Sequence, residues 1–178
     1  MMATDGGSAA WPAAILDCFK AHQIRQVAYV PDAGHSELIK LCHADDALRV
    51  VPLTREEEGV GVSAGAWLGG ERAVVLMQSS GVGNIINAVA SLTQACGFPL
   101  CLLVTMRGEW GETNPWQVPM GGATRAVLEA VGTRVEHVIH PADVAPAVNS
   151  MLAIAFTAQR PVATLLGQRL IGAKSFDE

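Results

Sequence analysis

Short apolar runs alternate with helix-like patterns along the chain, and this alternation constrains the fold more than any other feature. Six runs rich in Val, Leu and Ala have the length of strands, and glycine or proline residues stand at many of the joints. Runs that are apolar on both faces are typical of parallel strands covered by helices on each side. The sequence therefore predicts a single α/β domain over residues 1–178, a three-layer, doubly wound parallel sheet of about six strands with helices on both faces.

The predicted elements follow one another as repeated βαβ units. The predicted strands are 26–30, 49–53, 73–77, 100–105, 134–138 and 162–166. The predicted helices are 11–22, 36–44, 56–68, 84–95, 124–131 and 142–157. Between the fourth strand and the fifth helix, residues 106–122 are rich in glycine and proline. We therefore expect a long loop there, neither a regular helix nor a central strand, and loops of that length in compact domains are commonly functional.

Composition argues against two classes of partner. The chain has 12 Lys and Arg against 17 Asp and Glu, a net charge of -5, so it offers no basic surface for a nucleic acid. No apolar run approaches the roughly 20 residues of a membrane span, and the first ten residues lack the pattern of an export signal. The four cysteines show no Cys-x-x-Cys spacing, which favours free thiols, a reducing cytoplasm and no metal site in this chain.

Polar residues that follow the predicted strands are the first candidates for a site, because open parallel sheets bind ligands beyond the carboxyl ends of their strands. The candidates are Asp32, His35, Gln78, Ser79, Ser80, Gly81 and Arg107. Asp32 also suits a plain turn, and Arg107 suits either an anionic substrate oxygen or a solvated loop. His35 is the histidine best suited to proton transfer. Residues 78–84 lack the endings of nucleotide-binding loops, so they fit a tight turn, with Asn84 as a helix cap, or a cavity wall.

Three consecutive acids, Glu56, Glu57 and Glu58, open the helix that follows the second strand. A local explanation exists, because Thr54 and Glu57 have the spacing of a capping box and acids stabilise the positive end of a helix. The three glycines at positions 59–65 then weaken the helix by about 1 kcal/mol each relative to alanine. A neighbour that approaches this helix closely, whether a strand, another helix or a second subunit, would explain them.

The order of these motifs resembles the pyrimidine-binding domain of thiamine-diphosphate-dependent 2-oxo-acid decarboxylases, and within them the sulfopyruvate and phosphonopyruvate decarboxylase family. The likeness covers most of the chain, from the first strand exit to the last strand. It is carried by Glu57-Glu58-Gly59 and by the runs AGAWLG (64–69), LMQSSGVGN (76–84), NAVASL (87–92), RGE (107–109) and QVPMG (117–121).

The resemblance implies a role for each candidate. Glu57 would hydrogen-bond the pyrimidine ring of thiamine diphosphate and activate the cofactor, whose carbon chemistry depends on orientation by the protein. The residues implied to line the cofactor cavity are Gln78, Ser79, Ser80 and Gly81. The residues implied to contact a small anionic 2-oxo acid are Asp32, His35, Arg107 and Gln117, with His35 as a second catalytic residue.

The resemblance also implies a partner, because the family holds Mg²⁺ and the diphosphate with a Gly-Asp-Gly motif that this sequence lacks. A second subunit would carry that half of the site, in a hetero-oligomer with at least two copies of each chain. The implied substrate is sulfopyruvate first and phosphonopyruvate second. The alternative is a non-catalytic α/β binding or regulatory module that retains the fold.

Overall fold

The protein, described here over residues 11–173 by a computed structural model, is built on one six-stranded sheet. The strands are β1 (Ile24–Tyr29), β2 (Arg49–Pro52), β3 (Arg72–Gln78), β4 (Leu100–Thr105), β5 (Arg134–Val138) and β6 (Pro161–Leu166). Their order is β2-β1-β3-β4-β6-β5, and every neighbouring pair is parallel. The predicted fold class is confirmed.

Helices cover both faces of this sheet. They are α1 (Trp11–Ala21), α2 (Ser36–His43), α3 (Glu56–Leu68), α4 (Val82–Ala88), α5 (Val118–Ala130), α6 (Pro141–Ala158) and α7 (Gln168–Ile171). Helices α1, α2 and α6 share one apolar core with the sheet, and α3, α4 and α5 share the other. Within residues 11–173, no helix is long and apolar enough to cross a bilayer.

Alternation along the strands supplies the two cores. In β3, Val74 and Leu76 belong to the α1/α2/α6 core, whereas Val75 and Met77 belong to the opposite one. Every residue of β4 and β6 is buried, as expected for strands covered on both faces. The apolar runs in the sequence therefore reflect a sheet that meets water mainly at its edges.

The predicted loop over residues 106–122 is wrong in its last five residues, because α5 begins at Val118. Pro119 lies in the first helical turn, where a missing backbone N–H costs nothing. A Cβ on Gly121 would lie 2.0 Å from the carbonyl oxygen of Arg107. The glycine that looked like a helix breaker therefore allows the loop backbone to pack directly on the helix.

Two other elements differ from the predictions. Helix α7 was not predicted, and the predicted helix over 84–95 is divided into α4 and a π-helical turn over Val89–Gln94. A 3₁₀ turn over Ser79–Gly81 precedes α4, so Asn84 does not cap this helix as predicted.

The glycines of α3 differ in what surrounds them, which gives a matched test of packing. A Cβ on Gly59 would lie 2.7 Å from Val75 Cγ1, whereas a Cβ on Gly65 would meet nothing within 4 Å. We expect Gly59→Ala to destabilise the fold by about 1–3 kcal/mol through overpacking. Gly65→Ala should stabilise the isolated chain by about 0.5–1 kcal/mol through helix propensity. Urea unfolding of both variants checks this, and equal effects would contradict the packing of α3 on β3.

Candidate functional site

The carboxylate of Asp32, which follows β1, accepts hydrogen bonds from side chains at the ends of β3 and β4. Asp32 follows β1, and its Oδ2 accepts hydrogen bonds from Thr105 Oγ1 at 2.6 Å and from the backbone N–H of Gly34 at 3.0 Å. Its Oδ1 accepts from Gln78 Nε2, at the end of β3, at 2.9 Å. Since Thr105 ends β4, these bonds fix the carboxyl edge of β1, β3 and β4 around a single acid.

The bonds continue from Gln78 toward α5. Gln78 Oε1 accepts from Ser80 Oγ at 2.9 Å and from Gln117 Nε2 at 3.2 Å. Gln117 Oε1 is buried and has no donor among the described residues. We call Asp32, Gln78, Ser80 and Gln117 the polar relay, and it brings together four of the residues predicted for the site.

Ser79 and Gly81 serve the packing of the turn that follows β3. Ser79 is buried, and its Oγ accepts from the backbone N–H of Arg107 at 3.0 Å. A Cβ on Gly81 would lie 2.3 Å from Glu56 Oε1, so the Glu56 side chain fills the space above this glycine. Both residues therefore hold neighbouring loops together beside the polar relay.

The three acids at the start of α3 have three different environments. Glu58 is the capping acid, because its Oε2 accepts from the backbone N–H of Thr54 at 2.9 Å and of Arg55 at 3.3 Å. Glu56 Oε2 accepts from Asn84 Nδ2 at 2.8 Å. Glu57 Oε1 pairs with Arg55 Nε at 2.8 Å. The capping box predicted for Thr54 and Glu57 is wrong by one residue, since α3 begins at Glu56 and Arg55 is its N-cap.

The second carboxylate oxygen of Glu57 differs from the first in having no hydrogen-bond donor within the described part of the chain. Its Oε2 is buried and accepts no hydrogen bond from any described residue, although the side chain as a whole is 36% exposed. A buried acceptor without a donor costs about 1–3 kcal/mol. Of the three acids, Glu57 is therefore the one with a buried oxygen that no described residue engages.

His35, three residues after Asp32, packs against β4. The residue is fully buried, and its Nε2 lies 3.1 Å from the carbonyl oxygen of Leu103 in β4. A carbonyl only accepts, so Nε2 is the donor of this bond. Nδ1 has no hydrogen-bond partner among the described residues. Burial lowers the pKa of His35 below its usual range. His35 therefore packs against β4, and the proton-transfer role predicted for it stays a prediction.

Arg107 is engaged within the chain. Its Nε and Nη2 donate to the two carboxylate oxygens of Glu112 at 2.8 and 2.7 Å, and the two side chains are only 6% and 3% exposed. Arg107 also helps to line a cavity of about 110 Å³ that touches Asp32, Gly34 and Gly172. An anion in this cavity would meet a guanidinium whose charge Glu112 already balances.

Gln168, at the start of α7, closes the same loop. Its Oε1 accepts from the backbone N–H groups of Glu109 and Trp110 at 2.7 and 2.9 Å, and its Nε2 donates to Glu112 at 3.0 Å. Glu109 in turn accepts from the backbone N–H of Gln168 at 3.2 Å. The loop after β4 is therefore anchored to the segment after β6 by bonds that no sequence pattern indicated.

The Arg107–Glu112 pair should make stability depend on acidity. The hydrogen bond from Arg107, followed by backbone N–H donors of Asn114 and Gly108, lowers the pKa of Glu112 to about 2. A depressed carboxyl pKa adds stability above the unfolded value and loses it as the pH falls toward the folded value. Together these bonds should add stability at neutral pH that is lost as the pH falls from about 4.5 to about 2.

Denaturant unfolding of the parent and of Glu112→Gln at several pH values measures this contribution. The difference in unfolding free energy between the two proteins should shrink as the pH falls through that window. A constant difference would show that the pair is not formed as described.

Large apolar side chains are exposed near the same edge. Trp116 is 71% exposed, Trp110 is 51% exposed and Val118 is 48% exposed. Arg169 lies over the Trp110 ring, 5.6 Å from its centroid. Along α3, Leu68 is 73% exposed. Exposed aromatic residues of this size are typical of surfaces that contact another molecule.

The chain matches the model of a protein family. The model of the thiamine pyrophosphate enzyme N-terminal TPP binding domain matches residues 12–125. The chain belongs to this family. The resemblance seen in the sequence is thereby confirmed.

Two decarboxylase sequences are similar to this chain. It is 37% identical over 137 residues to the sulfopyruvate decarboxylase subunit alpha of Methanothermobacter thermautotrophicus, covering 77% of this chain and 83% of that subunit. It is also 37% identical over 120 residues to the sulfopyruvate decarboxylase of Methanosarcina acetivorans, covering 67% of this chain but only 31% of that longer protein.

A solved structure shares the fold. The chain superposes on the 2-oxoglutarate:ferredoxin oxidoreductase from Magnetococcus marinus with a TM-score of 0.69 and 13% identity, covering 93% of this chain and 29% of that one. At this identity the likeness concerns the fold alone.

The residues present fit the cofactor of the family at one point that the structure itself singles out. The pyrimidine ring of thiamine diphosphate offers a nitrogen that can share a proton with a carboxyl group, and Glu57 Oε2 is a buried carboxyl oxygen that lacks a donor. Glu58 caps α3 and Glu56 binds Asn84, so Glu57 is the acid of the three with a buried oxygen that no described residue engages.

Proposed function

We propose that this chain is the alpha-type subunit of a two-chain, thiamine-diphosphate-dependent 2-oxo-acid decarboxylase. The observation that carries the proposal concerns Glu57, an acid at the start of α3 in a thiamine pyrophosphate enzyme domain. One of its carboxylate oxygens is buried and has no donor among the described residues. Gln78, Ser80 and Gln117 lie along the adjacent edge of the sheet.

The proposed reaction is the decarboxylation of 3-sulfopyruvate to sulfoacetaldehyde and CO₂, with phosphonopyruvate as the second choice of substrate. Thiamine diphosphate supplies the nucleophile for the 2-oxo carbon and holds the electron pair of the broken carbon–carbon bond. The protein's part is to orient the cofactor, to share a proton through Glu57 and to position the substrate.

The second chain is proposed to bring the diphosphate and Mg²⁺ half of the site. The name of the Methanothermobacter relative includes "subunit alpha", and this chain matches only 31% of the Methanosarcina decarboxylase. The exposed face of α3 around Gly61, Gly65 and Leu68, together with Trp116, is proposed as the surface for that chain. Both glycines face open space and both apolar side chains are more than 70% exposed.

Substrate preference tests the proposed function. We expect the complex to turn over sulfopyruvate more efficiently than pyruvate, because a charge-assisted contact to the second anion is worth about 1.5–3 kcal/mol. Steady-state kinetics with both compounds measure the ratio of kcat/KM values. Equal efficiencies would remove the argument for a dianionic substrate.

Arg107 is the proposed contact to the second anionic group of the substrate. Because Arg107 pairs with Glu112, both residues must be changed to test this contact. Arg107→Ala would leave Glu112 as a buried, unpaired charge and cost about 3–5 kcal/mol. The double variant Arg107→Met/Glu112→Gln removes both charges, so its effect on sulfopyruvate against pyruvate reports recognition rather than folding. A loss that is equal for both substrates would show that Arg107 does not recognise the second anion.

A further inference from the structure

Gln168, at the start of α7, uses both ends of its side-chain amide inside the protein. The residue is only 1% exposed, and its Oε1 accepts from the backbone N–H groups of Glu109 and Trp110 at 2.7 and 2.9 Å. Its Nε2 donates to Glu112 Oε2 at 3.0 Å. Backbone N–H groups only donate and an ionised carboxylate only accepts, so these partners fix the orientation of the amide. All three bonds go to the loop after β4, so the position of that loop depends on Gln168.

Glu112 extends this connection to Arg107. Its two carboxylate oxygens accept from Arg107 Nε and Nη2 at 2.8 and 2.7 Å, and from the backbone N–H groups of Gly108 and Asn114 at 3.0 Å. Because the guanidinium group is planar, two bonds to one carboxylate fix its plane and the direction of its other N–H bonds. A shift of Glu112 therefore turns the guanidinium group of Arg107.

The residues that follow Gln168 form one wall of the cavity that Arg107 lines. This wall consists of residues 171–173, and the cavity has a volume of about 110 Å³. The loop packs closely against the wall, because a Cβ on Gly111 would lie 3.1 Å from the Cβ of Ala173. Gln168 therefore joins the segment that forms the wall to the loop that carries the guanidinium group.

We propose that Gln168 is a positioning residue that acts through Glu112 to hold Arg107 in the orientation that recognises the second anionic group of the substrate. The inference rests on the proposed function, in which Arg107 makes that contact. Since Glu112 already balances the charge of Arg107, recognition there depends on where the N–H bonds of the guanidinium group point. Pyruvate lacks the second anionic group, so its binding does not require this orientation.

Steady-state kinetics of Gln168→Met in the complex with the partner chain test the proposal. Methionine has a similar length but offers neither the N–H donor nor the oxygen acceptor of the amide. We expect kcat/KM for sulfopyruvate to fall by at least about tenfold, the effect of one charge-assisted hydrogen bond, mainly through a higher KM. For pyruvate, kcat/KM should stay within about threefold of the parent. Equal losses for both substrates would overturn the inference, because a merely structural role predicts them.

The double variant Arg107→Met/Glu112→Gln shows whether Gln168 acts through this pair. Residues that act through one another have non-additive effects. In that background, adding Gln168→Met should therefore lower kcat/KM for sulfopyruvate by less than about threefold. A further loss of about tenfold would show that Gln168 acts independently of Arg107, which contradicts the inference.

Gln168→Glu gives a rescue that depends on acidity and keeps the test decisive if Gln168→Met folds poorly. The new carboxyl can still accept from the backbone N–H groups of Glu109 and Trp110, but its second oxygen faces Glu112 Oε2. The hydrogen bond from Arg107 lowers the pKa of Glu112 to about 2. The neighbouring negative charge raises the pKa of the new carboxyl, which therefore takes the proton first and regains a donor toward Glu112.

The preference of Gln168→Glu for sulfopyruvate over pyruvate, divided by that of the parent, should thus be low at about pH 8 and recover toward about pH 5.5. Gln168→Met has no group that could titrate there, so its preference should show no recovery. A ratio for Gln168→Glu that does not change with pH would overturn the inference.

The result for the parent separates this inference from the proposed function. A parent complex that decarboxylates neither compound, or both with equal efficiency, contradicts the proposed function and the inference together. A parent complex that prefers sulfopyruvate, by a ratio that the Gln168 variants leave unchanged, contradicts the inference alone.

Discussion

Glu57→Gln is expected to leave the fold intact and to remove nearly all decarboxylation. The carboxamide keeps the size of the side chain, and the lost contact is a half-exposed ion pair with Arg55, which is worth about 0–1 kcal/mol. What the amide cannot do is share a proton with the pyrimidine ring of the cofactor. General acid–base contacts contribute about 10²–10⁴-fold to enzymatic rates, so we expect a loss of that order in kcat at saturating cofactor and partner.

The neighbouring acids are the matched controls. In Glu58→Gln the amide oxygen can still accept from the backbone N–H groups of Thr54 and Arg55, and in Glu56→Gln it can still accept from Asn84. Both variants should retain activity within about threefold of the parent, as surface changes rarely exceed 0.5 kcal/mol. Thermal unfolding of all three confirms that they are folded. A Glu57 variant as active as its controls would end the assignment of this acid to the cofactor.

The fold could be predicted from the sequence because burial on both faces leaves a strong signal. The runs at β4 and β6 are apolar at nearly every position, and all of their residues are buried. The start of α5 could not be predicted in the same way. Its glycine at position 121 has a packing role, set by the carbonyl of Arg107, and local propensity cannot distinguish a glycine that breaks a helix from one that lets a loop approach it.

The candidate site could be predicted only residue by residue. The sequence indicates Asp32, Gln78 and Gln117 as separate candidates. The hydrogen bonds between them depend on the order of the strands and on the path of the loop after β4. Thr105, which binds Asp32 at 2.6 Å, and Glu112, which pairs with Arg107, had no pattern to mark them. Contacts between side chains distant in sequence follow from topology, so they appear only once the sheet is assembled.

The chain on its own is expected to be catalytically silent and to bind thiamine diphosphate weakly. Most polar recognition of this cofactor concerns its diphosphate, and this sequence, with a net charge of -5, contains no Gly-Asp-Gly motif. Between residues 11 and 173, no group of three His, Cys, Asp or Glu side chains could hold a metal ion. Losing two charge-assisted contacts at about 1.5–3 kcal/mol each weakens binding by about 100-fold or more.

Calorimetry with thiamine diphosphate and Mg²⁺ compares the purified chain with the chain mixed with its partner, which is expected to carry Gly-Asp-Gly and a downstream asparagine. Activity and tight binding should appear only in the mixture. Micromolar binding with turnover by the chain alone would contradict a site shared between two chains.

The surface proposed for the partner gives this last prediction a structural control. Gly65 on α3 faces open space, so Gly65→Leu should leave the isolated chain folded and yet block the approach of a second chain to the helix. Ala153→Leu places the same side chain at an exposed position of α6, on the opposite face of the sheet. We expect the first variant to lose assembly and activity together and the second to retain both. Thermal unfolding checks that both variants are folded, and loss in Gly65→Leu alone would then locate the partner on the face of α3, the helix that carries Glu57.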